Sequence, residues 1–276
     1  MAALLALLAS LSLGTGDFFG GLASRRAPSL RVTAFATGVG TTVLLIATIV
    51  EGSSPDAASL RWGAAAGLVA GAALALLFWS LANGVIAVVS PLSAVLSAAV
   101  PVLVGLLEGE DPSGRAVVGL VIAFPAVVLV SSGGPRGDAA SRHLAVVAAV
   151  AAGVGFGLFA VLIERSSPDS GLWPVLSARG VGFVLLVVSG LVLGLRPGLP
   201  PGVRSTAAVA GLLDAAGNAL LLLAVRRGLL SLVGVIIALY PAATVALARI
   251  VFGERVGRIQ LIGMGLAAVA VALIAS

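Results

Sequence analysis

Apolar runs of about 20 residues recur from one end of the chain to the other, and they constrain the fold more than any other feature. That length lets an α-helix cross the hydrocarbon core of a bilayer at about 1.5 Å per residue. In lipid every backbone polar group must be bonded internally, and the runs are too long for barrel strands, so they read as helices. Only 10% of the 276 residues are charged, against about 25% in a soluble domain. The expected product is an all-α, multi-pass protein of the cell membrane, with the lipid bilayer as its surroundings.

Charged or Pro/Gly-rich breaks divide the chain into ten spans, at about 2–23, 31–50, 61–82, 85–107, 115–132, 143–163, 172–194, 205–225, 229–252 and 259–275. The longest break, "SSGGPRGDAASRH", falls at the middle. The second half repeats the first. At an offset of 144 positions Gly67 falls on Gly211, Gly84 on Gly228, Gly109-Glu110 on Gly253-Glu254, and Gly119 on Gly263. Ala94, Ala98, Ala99 and Leu103 likewise meet Ala238, Ala242, Ala243 and Leu247. Nearer the N-terminus an offset of 139 brings Gly14, Gly16 and Arg26 onto Gly153, Gly155 and Arg165. Each half holds five spans. An odd number sends the two halves into the membrane in opposite directions, so the expected fold is ten transmembrane helices in two five-helix inverted-topology repeats. The expected boundaries are 1–132, an inter-repeat loop at 133–142, and 143–276.

Residues 76 to 110, "LLFWSLANGVIAVVSPLSAVLSAAVPVLVGLLEGE", and 225 to 266, "VRRGLLSLVGVIIALYPAATVALARIVFGERVGRIQLIGMGL", carry a family resemblance. Both contain a tight turn followed by a helix ending in Gly-Glu, and the second has Leu-Tyr-Pro within its ninth span. The chain resembles the drug/metabolite transporter superfamily in its ten-helix EamA-like branch, over essentially its whole length. The resemblance implies a secondary transporter, commonly an exporter of metabolites, amino acids or toxic compounds. It also places Trp79, Tyr240 and Pro241 at cavity-facing aromatic or kink positions.

Asp17 is the first residue that lipid would reject. An ionised Asp at a helix centre costs roughly 2.5–3.5 kcal/mol on insertion scales, and such residues turn to the bundle interior or a wet cavity. Ser10, Gly14, Asp17, Gly21 and Ser24 recur at intervals of three and four and share one face. Asp17 is expected on the wall of a central cavity with Gly14 and Gly21 beside it; pairing with Arg25 or Arg26 is the alternative. Family members often carry Asn near this position, so the Asp adds a titratable group. In the eighth span Gly211, Asp214 and Asn218 also share a face, with Asp214 near mid-membrane. Its expected partner is Arg179 of the seventh span, in a pair that is structural, functional or both. Ser90, Ser93 and Ser97 form a hydroxyl face beside Pro91 and Pro101, which frees backbone carbonyls. That face either lines a solute path or packs helices.

Other features are local. Gly63, Gly67 and Gly71 read as a packing stripe. Trp62 and Trp173 read as interface anchors. Glu110 and Glu254 read as helix-end structure. His143 stands alone, and with no Cys and no carboxylate cluster at ligand spacing neither a metal site nor a cofactor is expected. No nucleophile–His–acid set or phosphate-cradling loop appears, so no enzyme is expected. The net charge of +5 comes from arginines scattered through short loops, which argues against nucleic acid. A secretory signal peptide is not expected, because the first run has no charged n-region and is too long. Ten spans put both termini on one side. The loops there hold five arginines against nine opposite, which favours external termini by the positive-inside rule, whereas the resemblance implies cytoplasmic ones.

The leading functional expectation is a secondary transporter, and an exporter, that moves small polar or amphipathic metabolites such as amino acids by alternating access. Proton coupling through Asp17 or Asp214 and uncoupled facilitation both fit, as do a monomer and a homodimer. The alternatives are a flippase for lipid-linked intermediates or a cationic drug exporter, and, in another class, a membrane-embedded lipid-modifying enzyme.

Overall fold

The computed structural model describes residues 2–109, 113–131, 139–196, 198–227, 236, 240–253 and 257–274. Among them are ten α-helices and no strand. The first five are α1 (Ala2–Ser24), α2 (Ser29–Glu51), α3 (Ala57–Asn83), α4 (Ile86–Leu107) and α5 (Gly114–Ser131). The rest are α6 (Ala139–Glu164), α7 (Trp173–Val192), α8 (Pro201–Arg227), α9 (Tyr240–Phe252) and α10 (Arg258–Ile274), with a 3-10 turn at Pro168–Ser170. Six helices are long and apolar enough to cross a membrane: α1 to α4, α6 from His143, and α7. α8 is as long as α3 but more polar, carrying Asp214 and Asn218 at its middle. The expected ninth span is described only at residue 236 and from Tyr240 to Gly253, and Glu110, Gly228 and Glu254 lie outside the described residues, as does most of the 133–142 loop.

Local chemistry sets the helix ends. Gly109 and Gly253, the glycines of the two Gly-Glu pairs, stand just past α4 and α9 with φ of 86° and 65°. Only glycine adopts that left-handed conformation without cost, so the repeated Gly stops the same helix in each half. α3 starts at Ala57 rather than near 61 because Asp56 caps it, accepting a 2.9 Å hydrogen bond from Ser59 N. α6 starts at Ala139 rather than 143, since Ala-Ala-Ser-Arg extends the helix without a breaker.

The helices turn small residues to one another and large apolar ones outward. Val50 and Leu107 are 80% and 88% exposed, and Val192, Ile250 and Phe124 are similarly bare. A surface of this kind suits lipid. Inside, Phe18, Phe78, Leu81, Ile86 and Leu92 anchor the main apolar core. α1 packs on α8 and α9, and α3 on α6 and α7. α2 packs on α7 and α8, α4 on α6, and α5 on α10. The glycine stripe of α3 lies on α7: a Cβ at Gly63 or Gly67 would run into the carbonyl oxygens of Pro174 or Ala178. Gly211 of α8 stands in the same relation to the Ala36 carbonyl of α2.

At one end of the bundle the α2–α3 loop is tied to the α6–α7 loop. Glu51 Oε2 accepts from Leu172 N at 2.9 Å, and Trp173 Nε1 donates to Ser53 O at 2.8 Å. Ser170 Oγ donates to Asp56, and Ser167 N to Ser59 Oγ at 2.9 Å. Arg165, at the end of α6, pairs with Glu108 and lies over the Trp62 ring. Both tryptophans therefore hold this end together, in addition to the anchoring expected of them.

Candidate substrate cavity

Between α1, α2, α3, α6, α7, α8 and α9 lies a cavity of about 200 Å³. One wall is polar: Asp17, Thr37, Arg179, Asp214, Asn218 and Tyr240 line it. The apolar part of the lining includes Leu74 and Leu77 of α3 and Phe156 and Phe159 of α6.

The polar wall is organised around Asp214. Its carboxylate pairs with the Arg179 guanidinium. Asn218, one turn along α8, donates through Nδ2 to the Asp214 carbonyl at 2.7 Å and to its carboxylate at 3.2 Å. The i, i+4 spacing of Asp214 and Asn218 puts both on the inner face. Gly40 of α2 lets Arg179 pass, because a Cβ there would stand 3.0 Å from the guanidinium. Thr37 presents a hydroxyl that is buried with no hydrogen-bond partner among the described residues.

Asp17 enters the cavity from α1, and Asp214 and Tyr240 line the same cavity. Arg25 and Arg26 lie eight and nine residues away, about 12 Å or more along the helix, and Arg25 sits over the Phe252 ring. The glycines expected beside Asp17 do other work. Gly14 faces the Tyr240 carbonyl, with its own oxygen accepting from Thr244 Oγ1 at 2.8 Å, and Gly21 packs on Leu81. They draw α9 and α3 against α1 and do not form the cavity wall. Gly16 meets α8 backbone beside Asp214.

Two expected groups are not among the residues that line this cavity. Trp79 does not line the cavity. The face of α3 that does so runs through Ala70, Gly71, Leu74 and Leu77, and Trp79, two residues further, points about 200° away from Leu77. Ser90, Ser93 and Ser97 do not line it either. Ser90 and Ser93 are each 1% exposed with hydroxyls unpartnered among the described residues, and Ser97 Oγ donates to Ala94 O at 2.9 Å. This face of α4 lies on α6, where Cβ atoms at Gly153 and Gly157 would meet the Ser93 and Ser97 carbonyls. Small residues here permit close packing.

Thr37, Phe156 and Phe159 were not singled out in the sequence. A threonine or phenylalanine in an apolar run carries no local signal. The repeat offset held one: at 139 positions Phe156 is the counterpart of Asp17. Among the described residues no group of His, Asp or Glu could hold a metal ion.

Long helices with an apolar exterior and charges turned inward around a cavity define an integral membrane protein. The model of the EamA-like transporter family matches residues 1–132 and again 143–276. The chain belongs to that family, and so to the drug/metabolite transporter superfamily; it is a membrane transporter. One solved crystal structure of a protein superposes with a TM-score of 0.66 at 18% identity, covering 99% of this chain and 95% of that one, a likeness of fold. No curated protein matches the sequence.

Proposed function

We propose that the protein carries small amphipathic organic solutes through the membrane by alternating access, with the cavity of Asp17, Arg179 and Asp214 as its binding site. The cavity's mixed lining of charged, polar and aromatic side chains is the observation that carries this reading. A solute with a polar head and an apolar body satisfies both parts of this lining at once, whereas water or a bare ion leaves the phenylalanines unfilled. The volume of about 200 Å³ lies below the roughly 300–1,000 Å³ of drug-sized sites. It favours a metabolite over a lipid-linked intermediate.

The helix pairings support the two-repeat mechanism. Exchanging α1–α5 for α6–α10 maps the α1–α8 contact onto α6–α3, α2–α8 onto α7–α3, and α1–α9 onto α6–α4. The α2–α7 and α5–α10 contacts map onto themselves. Two five-helix halves that each cross the membrane an odd number of times would be inverted repeats, and rocking of one against the other would expose the cavity to each side in turn. The loop ties through Glu51, Asp56 and Trp173 join the α2–α3 and α6–α7 loops at one end of the bundle. Family resemblance makes export the direction to test first, in the cell membrane.

The chain has no cysteine, so Leu74→Cys gives a single labelling site on the cavity wall. In oriented vesicles a membrane-impermeant maleimide should reach it from both sides, with the balance shifted by an imposed gradient of a carried solute. Labelling from one side alone under every gradient would overturn alternating access. A panel of labelled metabolites in proteoliposomes tests the solute class, and absence of flux for every small amphipath would overturn it.

A further inference from the structure

The cavity sits where two repeat-related interfaces meet, and the two are chemically opposite. The α1–α8 interface brings Asp17, Asp214 and Asn218 to the cavity. Its counterpart, α6–α3, brings Phe156, Ala70 and Leu74 at the corresponding offsets of 139 and 144. The α2–α7 contact follows the same rule. Ala36 and Ala178 are equivalent, because each presents its carbonyl to a repeat-related glycine, Gly211 or Gly67. The next residues, Thr37 and Arg179, are therefore counterparts, one neutral and one cationic. Every charge on the cavity wall thus lacks a charged equivalent across the repeat.

The charge balance then selects the solute. Asp214 is held by Arg179 and Asn218. Asp17 has no ion-pair partner among the described residues, and no further cationic side chain among them lines the cavity. With both carboxylates ionised the cavity carries one net negative charge. A carboxylate in a low-dielectric cavity attracts a cation strongly, and aromatic side chains such as Phe156, Phe159 and Tyr240 in the same lining suit a cation with an apolar body. A zwitterion would need a second free cation for its carboxylate, and Arg179 is already engaged.

We infer that the cavity is built for a small monovalent organic cation, an ammonium head at Asp17 with an apolar body against Phe156 and Phe159. This rests on the transport reading above.

The test holds the skeleton constant and varies the head group. 2-Phenylethylammonium, phenylalanine and 2-phenylethanol would compete for uptake of labelled 2-phenylethylammonium into proteoliposomes, with n-butylammonium and choline as smaller cations. Expected is competition by the cations at concentrations at least about tenfold below those needed for the zwitterion or the alcohol. Asp17→Asn should erase that preference. Phe156→Ala should weaken 2-phenylethylammonium more than n-butylammonium. Equal or better competition by phenylalanine or the alcohol overturns the charge assignment and leaves the transporter reading standing. Failure of the protein to carry any of the panel, or any metabolite, overturns both. Because the wild-type comparison decides the matter, a variant that fails to fold does not protect the inference.

Discussion

Arg179 on α7 and Asp214 on α8 form an ion pair inside the bundle, with 14% and 24% of their side chains exposed. Asn218 donates to the same carboxylate. Removing one partner leaves the other in a low-dielectric site, which costs about 3–5 kcal/mol for a fully buried pair and less here because both side chains are partly exposed. Asp214→Ala and Arg179→Ala should each lower the melting temperature in detergent. The double variant should be more stable than the sum of the single losses predicts. Strict additivity would show that the two charges do not stabilise one another.

Gly67 and Gly211 make equivalent contacts in the two halves, each beneath a carbonyl of a neighbouring helix. Gly67→Ala and Gly211→Ala should each cost about 1–3 kcal/mol, the usual range for overpacking. At Gly190 of α7 an added Cβ would meet nothing within 4 Å. Gly190→Ala should leave stability unchanged or raise it by about 0.5–1 kcal/mol, since Ala is the better helix former. Thermal unfolding of the three variants distinguishes packing glycines from incidental ones.

The bilayer made the long apolar helices legible: among the described residues six announce themselves by length and apolarity. Asp17, Arg179 and Asp214 were legible for the same reason, because a charge in such a run has few places to go. Trp79 and the α4 serines were not, because a helix apolar on all sides leaves its inward face undefined until its neighbours are placed. The Gly-Glu repeats marked helix ends before any φ angle was known, but which helices would touch was not written in any single span. Gly14 and Gly21 share a face with Asp17, yet close packing claims the glycines and leaves the carboxylate for the cavity.

Asp56 lies outside the spanning segments, and its carboxyl is pulled down to about 2 by hydrogen bonds from the Ser170 hydroxyl and then from Ser59. A depressed folded-state value stabilises the fold above the unfolded carboxylate value of about 3.9 and is lost as pH falls toward 2. Asp56→Ala should therefore melt lower than wild type at pH 7. The gap should narrow between about pH 4 and pH 2, where the wild-type carboxylate also becomes neutral. A gap that stays constant with pH would remove the charge from the loop tie and leave only the shape of the cap.

Ser93 carries a buried hydroxyl with no partner among the described residues, on a helix face pressed against α6. An unsatisfied buried polar group costs about 1–3 kcal/mol. Ser93→Ala should be neutral or stabilising and should leave transport unchanged. Ser93→Leu should destabilise, because the α4–α6 contact has no room for it. Loss of transport in a stable Ser93→Ala protein would return the serines to the solute path.

Asp17 is the cavity carboxylate without an ion-pair partner among the described residues, faced by Asp214 and Asn218 from α8, Tyr240 from α9, Arg179 from α7 and Thr37 from α2. A carboxylate so placed can hold either a proton or a cationic solute, but not both at once. Mutual exclusion of this kind is what exchange of solute for proton requires. Asp17→Asn keeps the size of the side chain and its ability to accept a hydrogen bond while removing the titration. In proteoliposomes the expected result is loss of the dependence of flux on an imposed pH gradient, with the melting temperature close to wild type because no ion pair is broken. The Arg179→Ala/Asp214→Ala double variant, if folded, should keep that dependence, since Asp17 is intact. An unchanged gradient dependence in Asp17→Asn would remove Asp17 from coupling. It would leave the residue as a fixed counter-charge to the solute, a role read out by competition rather than by pH.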